Sequence, residues 1–178
     1  WSRGLGDVYK RQLFIMSQSA DLPLLPIGRS SFSEIRSKSF VYVDKTQYIY
    51  QLLRESGVYF LARPRRFGKS LLISTLEEIF KGNKELFNGL WIADSDYDWQ
   101  EYPVIHLDLS EVAVESLEIL KEDVINVMQA NADRYGVTLD TDGHPQTVLR
   151  NLIQALAKQS PQQQVVVLID EYDKPLLN

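Results

Sequence analysis

Cysteine is absent from the 178-residue sequence, and histidine and methionine occur only twice each. Without cysteine the chain forms no disulfide and no thiolate metal site, a composition that fits a reducing compartment. Long apolar runs are also missing. No stretch reaches the ~18 residues that mark a membrane-spanning helix, and Leu13–Met16 is too short for the core of a signal peptide. We therefore expect a cytoplasmic location and no membrane partner.

A strong excess of positive charge is the next missing feature. Hydrophobic residues make up 44% of the chain and charged residues 24%, with a formal net charge of −5. This composition is that of a soluble globular domain, and the length suits one domain with a sizeable core. The negative balance argues against electrostatic binding of nucleic acid by the molecule as a whole.

The beginning of the chain differs from the rest. Ser2–Gln12 reads SRGLGDVYKRQ, has no apolar periodicity and resembles a translated sequencing-library adapter. We therefore expect residues 1–12 to be a non-native tail, with a native disordered tail as the alternative. Residues 13–23 are expected to form a lead-in, and residues 24–178 the domain itself.

Apolar periodicity predicts alternating helices and strands, and therefore an α/β domain with a parallel sheet. The uniformly apolar run at Val165–Ile169 predicts a strand buried on both faces. Asp44, with Gln47 three residues later, predicts a capped helix that ends at Gly57. The other expected helices are Phe32–Lys38, Lys69–Phe80, a short piece at Leu86–Trp91, Ser116–Tyr135 and one beginning at Pro145; the other expected strands are Phe40–Val43, Val58–Ala62 and Pro103–Leu109.

A candidate phosphate-binding loop lies between the strand expected at Val58–Ala62 and the helix that opens at Lys69. The pattern G-x-x-x-x-G-K-[ST] needs backbone N–H groups, a lysine and a hydroxyl around the phosphates and Mg²⁺. It matches at its last three positions, but Arg63 replaces the first glycine and Pro64 removes one N–H donor. A solvated basic turn is the alternative. The candidate nucleotide-binding residues are Arg65, Arg66, Phe67, Gly68, Lys69, Ser70 and Leu71.

Two acids follow the strand expected at Val165–Ile169. Asp170 and Glu171 would stand at the carboxyl end of a parallel strand, where such sheets bind ligands. Asp170 suits Mg²⁺, together with Ser70, and Glu171 suits activation of the attacking water. A buried strand that ends in two exposed acids is the alternative. The phosphate loop and the acidic pair together, in this order, predict binding of a nucleoside triphosphate with magnesium.

Five further polar positions receive a structural interpretation. Asp108 is expected to be an ordinary strand-end acid, with a position facing the site as the alternative. His106 alternates with apolar neighbours and is expected to be a packed or edge histidine, and His144 a loop or cap residue. Asp173 and Lys174 are expected to form a local surface ion pair, with a role in the site as the alternative.

Four segments of the sequence resemble one known family. They are YVDKT at Tyr42–Thr46, RPRRFGKS at Arg63–Ser70, YPVIHLD at Tyr102–Asp108 and LIDEYDKP at Leu168–Pro175. The chain resembles, from about Leu24 onward, the AAA-ATPase-like domain of bacterial and archaeal proteins, which often carry a C-terminal PD-(D/E)XK nuclease domain. In that family the arginine-rich entry is itself the pattern.

The resemblance implies a P-loop NTPase fold of the ASCE/AAA-like type, a three-layer parallel sheet. It implies ATP and Mg²⁺ as ligands, with Lys69 and Ser70 binding ATP, Asp170 the magnesium, and Glu171 in catalysis. ATP hydrolysis is the expected activity. The alternatives are a nucleotide-dependent switch with little or no hydrolysis and a nucleic-acid-interacting domain that uses the arginine cluster.

The sheet is expected to be truncated at its C-terminal side, because a further strand should separate the phosphate-loop strand from the acidic one. We expect the 178-residue chain to be an incomplete folding unit, since unpaired buried strand edges are costly. A nucleic-acid partner would act through a nuclease domain outside this sequence. The oligomeric state is not readable from it.

Overall fold

The computed structural model describes residues 23–55, 57–64, 66–110, 112 and 116–174. The adapter-like tail and most of the lead-in lie outside the described residues, as does Arg65. Five α-helices occur in the described residues: α1 (Phe32–Ser37), α2 (Thr46–Leu53), α3 (Lys69–Phe80), α4 (Leu117–Arg134) and α5 (Pro145–Gln159). Two 3₁₀ turns, Lys84–Phe87 and Trp91–Asp94, and two strands, β1 (Val104–Asp108) and β2 (Val166–Asp170), complete the elements.

Strands β1 and β2 pair in parallel, which confirms the predicted parallel arrangement for these two. The register places His106 opposite Leu168 and Asp108 opposite Asp170. Their carboxyl ends therefore meet at one edge of the sheet. The described chain is a mixed helix and strand structure with a two-stranded sheet, compatible with the expected α/β class.

Helices cover both faces of β1 and one face of β2. On one face α3 packs with Leu76 and Ile79 against Val104 and Leu168. On the other face α4 and α5 pack against the alternate residues of β1, in a cluster of Ile105, Leu107, Met128, Ala132, Val148, Leu152 and Leu156. Because side chains alternate along a strand, even-numbered residues of both strands face α3.

The helices follow their sequence signals closely, with one exception. Helix α3 has the predicted bounds, and the Ser116 hydroxyl caps α4 by accepting a hydrogen bond from the N–H of Ile119. Helix α5 begins at Pro145 as predicted. The exception is α2, which ends at Leu53 and not at Gly57. Trp99 packs its ring against Phe87 and Tyr97. The short helical piece predicted at Leu86–Trp91 falls on the two 3₁₀ turns.

The prediction that Asp44 and Gln47 together cap α2 is wrong. The Oδ1 atom of Asp44 accepts hydrogen bonds from the Thr46 N–H at 2.8 Å and the Thr46 hydroxyl at 2.7 Å. Lys45 occupies the cap position without a side-chain bond. Asp44 therefore lies one residue before the cap position, where its second oxygen, Oδ2, accepts the N–H of Trp91. It joins α2 to the 3₁₀ turn instead of closing the helix on itself.

Two predicted strands are not strands in the structure. Phe40–Val43 and Val58–Ala62 have no strand assignment, and Val58 is fully exposed. A strand forms only where a neighbour accepts and donates its backbone hydrogen bonds. Within the described residues Val58–Ala62 has no such neighbour, and Phe40–Val43 has one backbone bond to a segment distant in sequence, from the Val41 N–H to the Leu24 carbonyl.

The prediction that the second strand is buried on both faces is also wrong. Val167 is 36% exposed and Ile169 is 45% exposed. The bonds that β2 makes to β1, from the Val166 N–H and to the Asp170 carbonyl, leave the alternate backbone groups of Val167 and Ile169 pointing away from β1. One face and one edge of β2 are therefore open in the described part of the chain.

The outer edge of β1 is closed by side chains of α4. The N–H groups of Val104 and His106 donate to the Tyr135 hydroxyl at 2.7 Å and to the Asn131 side-chain oxygen at 3.0 Å. Asn131 returns a bond to the His106 carbonyl at 2.9 Å. Since these groups are satisfied, β1 is a true edge strand, and the sheet can grow only on the side of β2.

Candidate nucleotide-binding site

The loop before α3 has a backbone suited to anions. Gly68 caps α3 with a left-handed φ of 76° and Arg66 has a φ of 67°. Left-handed residues that alternate with helical ones turn successive N–H groups inward, the geometry of an anion-binding nest. Among the described residues no side chain caps the first turn of α3, so its N–H groups are available there to a phosphate. A Cβ at Gly68 would meet nothing within 4 Å, so φ alone requires glycine there.

The positive charges of this loop are free for a ligand. Arg63 and Arg66 are exposed and Lys69 is half-buried in the first turn of α3. None of the three has an acidic partner among the described residues. The left-handed Arg66 costs backbone energy on the order of 1 kcal/mol, a strain found most often at functional positions. Phe67 is 63% exposed, whereas Ser70 and Leu71 are half-buried on α3.

The acidic end of β2 lies on the face that α3 covers. Asp170 is 7% exposed and points, by strand alternation, to the same face as Val166 and Leu168, which pack with α3. Its Oδ1 atom accepts the N–H of Glu171 at 3.0 Å. Glu171 has a left-handed φ of 51°, so the strand ends in a strained residue. The helix that carries Ser70 thus packs on the strand that carries Asp170; the direct approach of the two side chains stays a prediction.

The chemistry of these donors fits magnesium. Mg²⁺ prefers oxygen ligands, keeps several waters and is usually held by one or two protein groups together with substrate phosphates. The Ser70 hydroxyl and the Asp170 carboxylate are such groups, and Asp170 keeps one oxygen, Oδ2, free of hydrogen bonds in the described structure. No cluster of three or more histidine or acidic side chains able to hold a metal occurs in the described ranges.

Three of the remaining polar positions take the structural roles expected for them. His106 is a packed strand residue whose Nδ1 lies 3.0 Å from Oε2 of Glu77. His144 stands at the cap position of α5. Asp108 is exposed, and its Oδ1 accepts the N–H of Ser110 at 2.9 Å, which is the behaviour of an ordinary strand-end acid that closes a turn.

The predicted surface ion pair between Asp173 and Lys174 is wrong. No ion pair joins them, and the Oδ1 atom of Asp173 is buried without any hydrogen-bond partner among the described residues. The backbone decides this, because the Lys174 N–H bonds to the Glu171 carbonyl in a tight turn. A carboxylate oxygen deprived of both water and a partner is costly, so Asp173 remains the least satisfied acid beside the site.

The YVDKT segment, Tyr42–Thr46, is hydrogen-bonded to the second 3₁₀ turn. The Thr46 side chain is fully buried, and its hydroxyl accepts the N–H of Ile92 at 3.1 Å. Burial opposes ionisation of Asp44, but hydrogen bonds from Trp91 and Thr46 outweigh it and lower the pKa of this carboxyl. Burial raises the pKa of Tyr42, whose ring packs against the core cluster that includes Leu76 and Ile79 of α3. The motif therefore contributes to the packing around α3.

Sequence analysis missed one group of charged residues on the phosphate-loop helix. Glu77 is 12% exposed in its side chain and contacts His106, Lys81 and Arg134. The hydrogen bond from His106 is the main cause that lowers the pKa of Glu77, to about 2. Only Lys81, one helical turn away, was a visible signal in the sequence. The other two partners lie on distant elements.

Comparison with known proteins assigns the class. The profile of the AAA-ATPase_like family, described as "Predicted AAA-ATPase", matches residues 26–178. The chain belongs to this family, as its motifs indicated. A relative from Azotobacter chroococcum mcd 1, described as "Uncharacterized protein in vnfD 5'region", is 38% identical over 156 residues, which is 86% of this chain and 30% of the relative. No solved structure matches.

In the described part of the chain, no helix is both long and apolar enough to cross a membrane.

Proposed function

We propose that this domain binds ATP with Mg²⁺ at the phosphate loop and hydrolyses the bond between the β- and γ-phosphates. One observation carries the proposal. The uncapped N-terminus of α3, with its unpaired cations, belongs to a helix that packs against the strand ending in buried Asp170 and strained Glu171. Family membership supports the same ligand, and the motif residues are those that phosphoryl transfer requires.

The roles follow from the chemistry of each group. The N–H groups of the first turn of α3 and the Lys69 ammonium would bind the phosphate oxygens. Ser70 and Asp170 would hold magnesium, which neutralises charge on the phosphates when bound. Glu171 would accept the proton of the attacking water and orient it in line with the γ-phosphate. Arg66, and Arg65 outside the described residues, would add charge near the phosphates.

Substitution of Lys69 by alanine tests the binding step. Removal of the ammonium should lower the affinity of the full-length protein for Mg-ATP at least tenfold, about 1.4 kcal/mol. Isothermal calorimetry measures this, with Lys84→Ala as the control because Lys84 is exposed on the 3₁₀ turn away from the loop. Equal affinity of Lys69→Ala and the parent would refute the phosphate-loop assignment.

A nucleotide-dependent switch is the second candidate. The φ of 51° at Glu171 turns the chain directly after Asp170, so the direction in which the Glu171 carboxylate points decides between hydrolysis and a switch. If this turn directs the Glu171 carboxylate away from the γ-phosphate, the domain binds ATP without turnover. Measurement of ATPase activity in the full-length protein separates the two, because a switch binds Mg-ATP and releases no phosphate.

A further inference from the structure

A single carboxylate ties the phosphate-loop helix to two other elements. Oε2 of Glu77 lies 3.0 Å from Nδ1 of His106 in β1. Oε1 lies 2.7 Å from Nζ of Lys81 in the turn after α3 and 3.3 Å from Nη1 of Arg134 in α4. We propose that Glu77 is a positioning residue that fixes the distance between Ser70 and Asp170 across which Mg²⁺ binds. This inference rests on the proposed function.

The orientation of the His106 ring depends on its hydrogen bond to Glu77. A carboxylate only accepts hydrogen bonds, so Nδ1 of His106 is the donor. The other ring nitrogen, Nε2, is buried and has no hydrogen-bond partner in the described structure. Glu77 is therefore the one polar group that orients the imidazole. Its loss would leave both ring nitrogens unpaired in a half-buried position, which is costly.

The contact between Glu77 and His106 links the phosphate-loop helix to the strand that pairs with the acidic strand. Along α3, Glu77 lies about two turns, roughly 12 Å, beyond the residues that open the helix at the phosphate loop. Across the sheet, His106 stands opposite Leu168, two residues before the pair formed by Asp108 and Asp170. A hydrogen-bonded helix and a paired strand are both stiff, so a shift at Glu77 moves one end of the site relative to the other.

Strand β1 cannot adjust to compensate. Its outer backbone groups are bonded to Asn131 and Tyr135 of α4, and Arg134 of the same helix reaches Glu77. Helix α4, strand β1 and helix α3 therefore form one braced unit. The other links between α3 and β1 are the aliphatic packing of Leu76 and Ile79 and one bond at the far end of the helix, from the Tyr102 N–H to the Phe80 carbonyl. Glu77 adds the side-chain hydrogen bond between the helix and the middle of β1.

The dependence of ATP affinity on magnesium tests the proposal. Under the proposed function, ATP without metal would contact only the loop and the first turn of α3, whereas Mg-ATP would require α3 and β2 together. Glu77→Gln removes the charge that binds Lys81 and Arg134 and leaves one amide oxygen as an acceptor for His106. In the full-length protein this variant should therefore keep the parent's affinity for ATP measured in EDTA. The gain in affinity on adding Mg²⁺ should fall at least fivefold. A residue with a merely structural role would lower the melting temperature without changing this ratio.

Glu78→Gln is the matched control. Glu78 neighbours Glu77 on α3 and has the same 12% side-chain exposure, but among the described residues its carboxylate has polar contacts with Lys81 and Asn83 alone. The control should keep the full Mg²⁺-dependent gain. An unchanged gain in folded Glu77→Gln, or an equal loss in both variants, would overturn the positioning role.

Two histidine variants decide the matter if Glu77→Gln fails to fold. His106→Asn keeps an N–H donor near the position of Nδ1 and should retain most of the Mg²⁺-dependent gain. His106→Leu removes the donor and should lose it. Equal gains in these two variants would overturn the inference. A parent protein that binds no ATP refutes the proposed function and this inference with it, whereas a parent that binds ATP while the variants match it refutes the inference alone.

Discussion

Glu171 has a strained backbone conformation, which indicates that the surrounding structure imposes its position. Its left-handed φ of 51° costs on the order of 1 kcal/mol for a residue with a side chain, and it directly follows buried Asp170. Such strain persists where the surrounding structure imposes it, most often at functional sites. The geometry suits a group that must point away from its own strand.

Glu171→Gln should keep Mg-ATP binding and lose most ATP turnover. The amide preserves the shape but cannot accept the proton, and a positioned base typically contributes about a hundredfold or more to the rate. Steady-state phosphate release by the full-length protein measures the loss. Asp108→Asn is the matched control, because Asp108 stands in register with Asp170 but its carboxylate accepts a hydrogen bond from the Ser110 N–H. Turnover that persists in Glu171→Gln would exclude Glu171 as the base.

At the scale of elements, α3 combines three tasks in one helix. Its N-terminus offers N–H groups, its apolar side covers both strands, and Glu77 braces it against β1 and α4. A lowered pKa at Glu77 means that folding favours the ionised form. Because of that preference, the free energy of unfolding depends on pH between the folded-state and unfolded-state pKa values of Glu77.

The stability supplied by Glu77 should disappear in acid. Its pKa falls from an ordinary 4.5 to about 2 in the folded state. A depressed carboxyl pKa stabilises the fold above the unfolded value, and this contribution is lost as pH falls through the folded value. Between about pH 4.5 and 2 the protein should lose on the order of 2 kcal/mol from this group, with solvent screening of Arg134 and Lys81 allowed for.

Urea unfolding of the full-length protein across that pH window measures this loss. Glu77→Gln should lower stability at neutral pH and flatten the acid dependence between pH 4.5 and 2. Glu78→Gln should keep the parent's slope. Parallel curves for the parent and Glu77→Gln would show that the ion pairs of Glu77 contribute nothing measurable.

At the scale of the whole molecule, the described chain has a closed edge and an open one. Side chains of α4 close the outer edge of β1, whereas the backbone of Val167 and Ile169 faces no partner. The ring of Phe60 nevertheless lies 5.0 Å from that of Tyr172. Phe60 therefore lies near the end of β2, although Val58–Ala62 makes no strand pairing with it in the described residues. We propose that a strand from outside the described residues pairs with the open edge of β2.

The isolated chain should be poorly soluble or molten and should bind ATP weakly or not at all. Its open edge and its exposed apolar residues, Val58, Phe60, Val167 and Ile169, favour association of one chain with another. Light scattering and calorimetric melting measure this. A sharp cooperative melt of the isolated chain, with stabilisation by Mg-ATP, would show that no further strand is needed.

Chemical labelling locates the missing contact. The chain contains no cysteine, so Ile169→Cys introduces a single reactive site into it. A maleimide should modify this position quickly in the isolated chain and at least tenfold more slowly in the full-length protein, where a strand covers it. Glu118→Cys, exposed at the start of α4, should react at the same rate in both. Equal protection of both positions would indicate aggregation and not strand addition.

The local sequence predicted what depends on neighbours along the chain. The bounds of α3, the helix expected at Ser116–Tyr135, Pro145 at the start of α5 and the strand before Asp170 follow from apolar periodicity and from residue types near in sequence. The candidate site residues were likewise found as motifs. Their assignment to ATP and Mg²⁺ rests on the motif and the family, and stays a prediction.

The sequence by itself determined the helices, the parallel order of β1 and β2 and membership in the AAA-ATPase-like family. Only the tertiary structure decided that Val58–Ala62 is unpaired, that one face of β2 is open and that Glu77 meets His106 and Arg134. The physical reason is the same in each case. A strand needs a partner's backbone and a buried charge needs a partner's side chain, and both partners are supplied by residues far away along the chain.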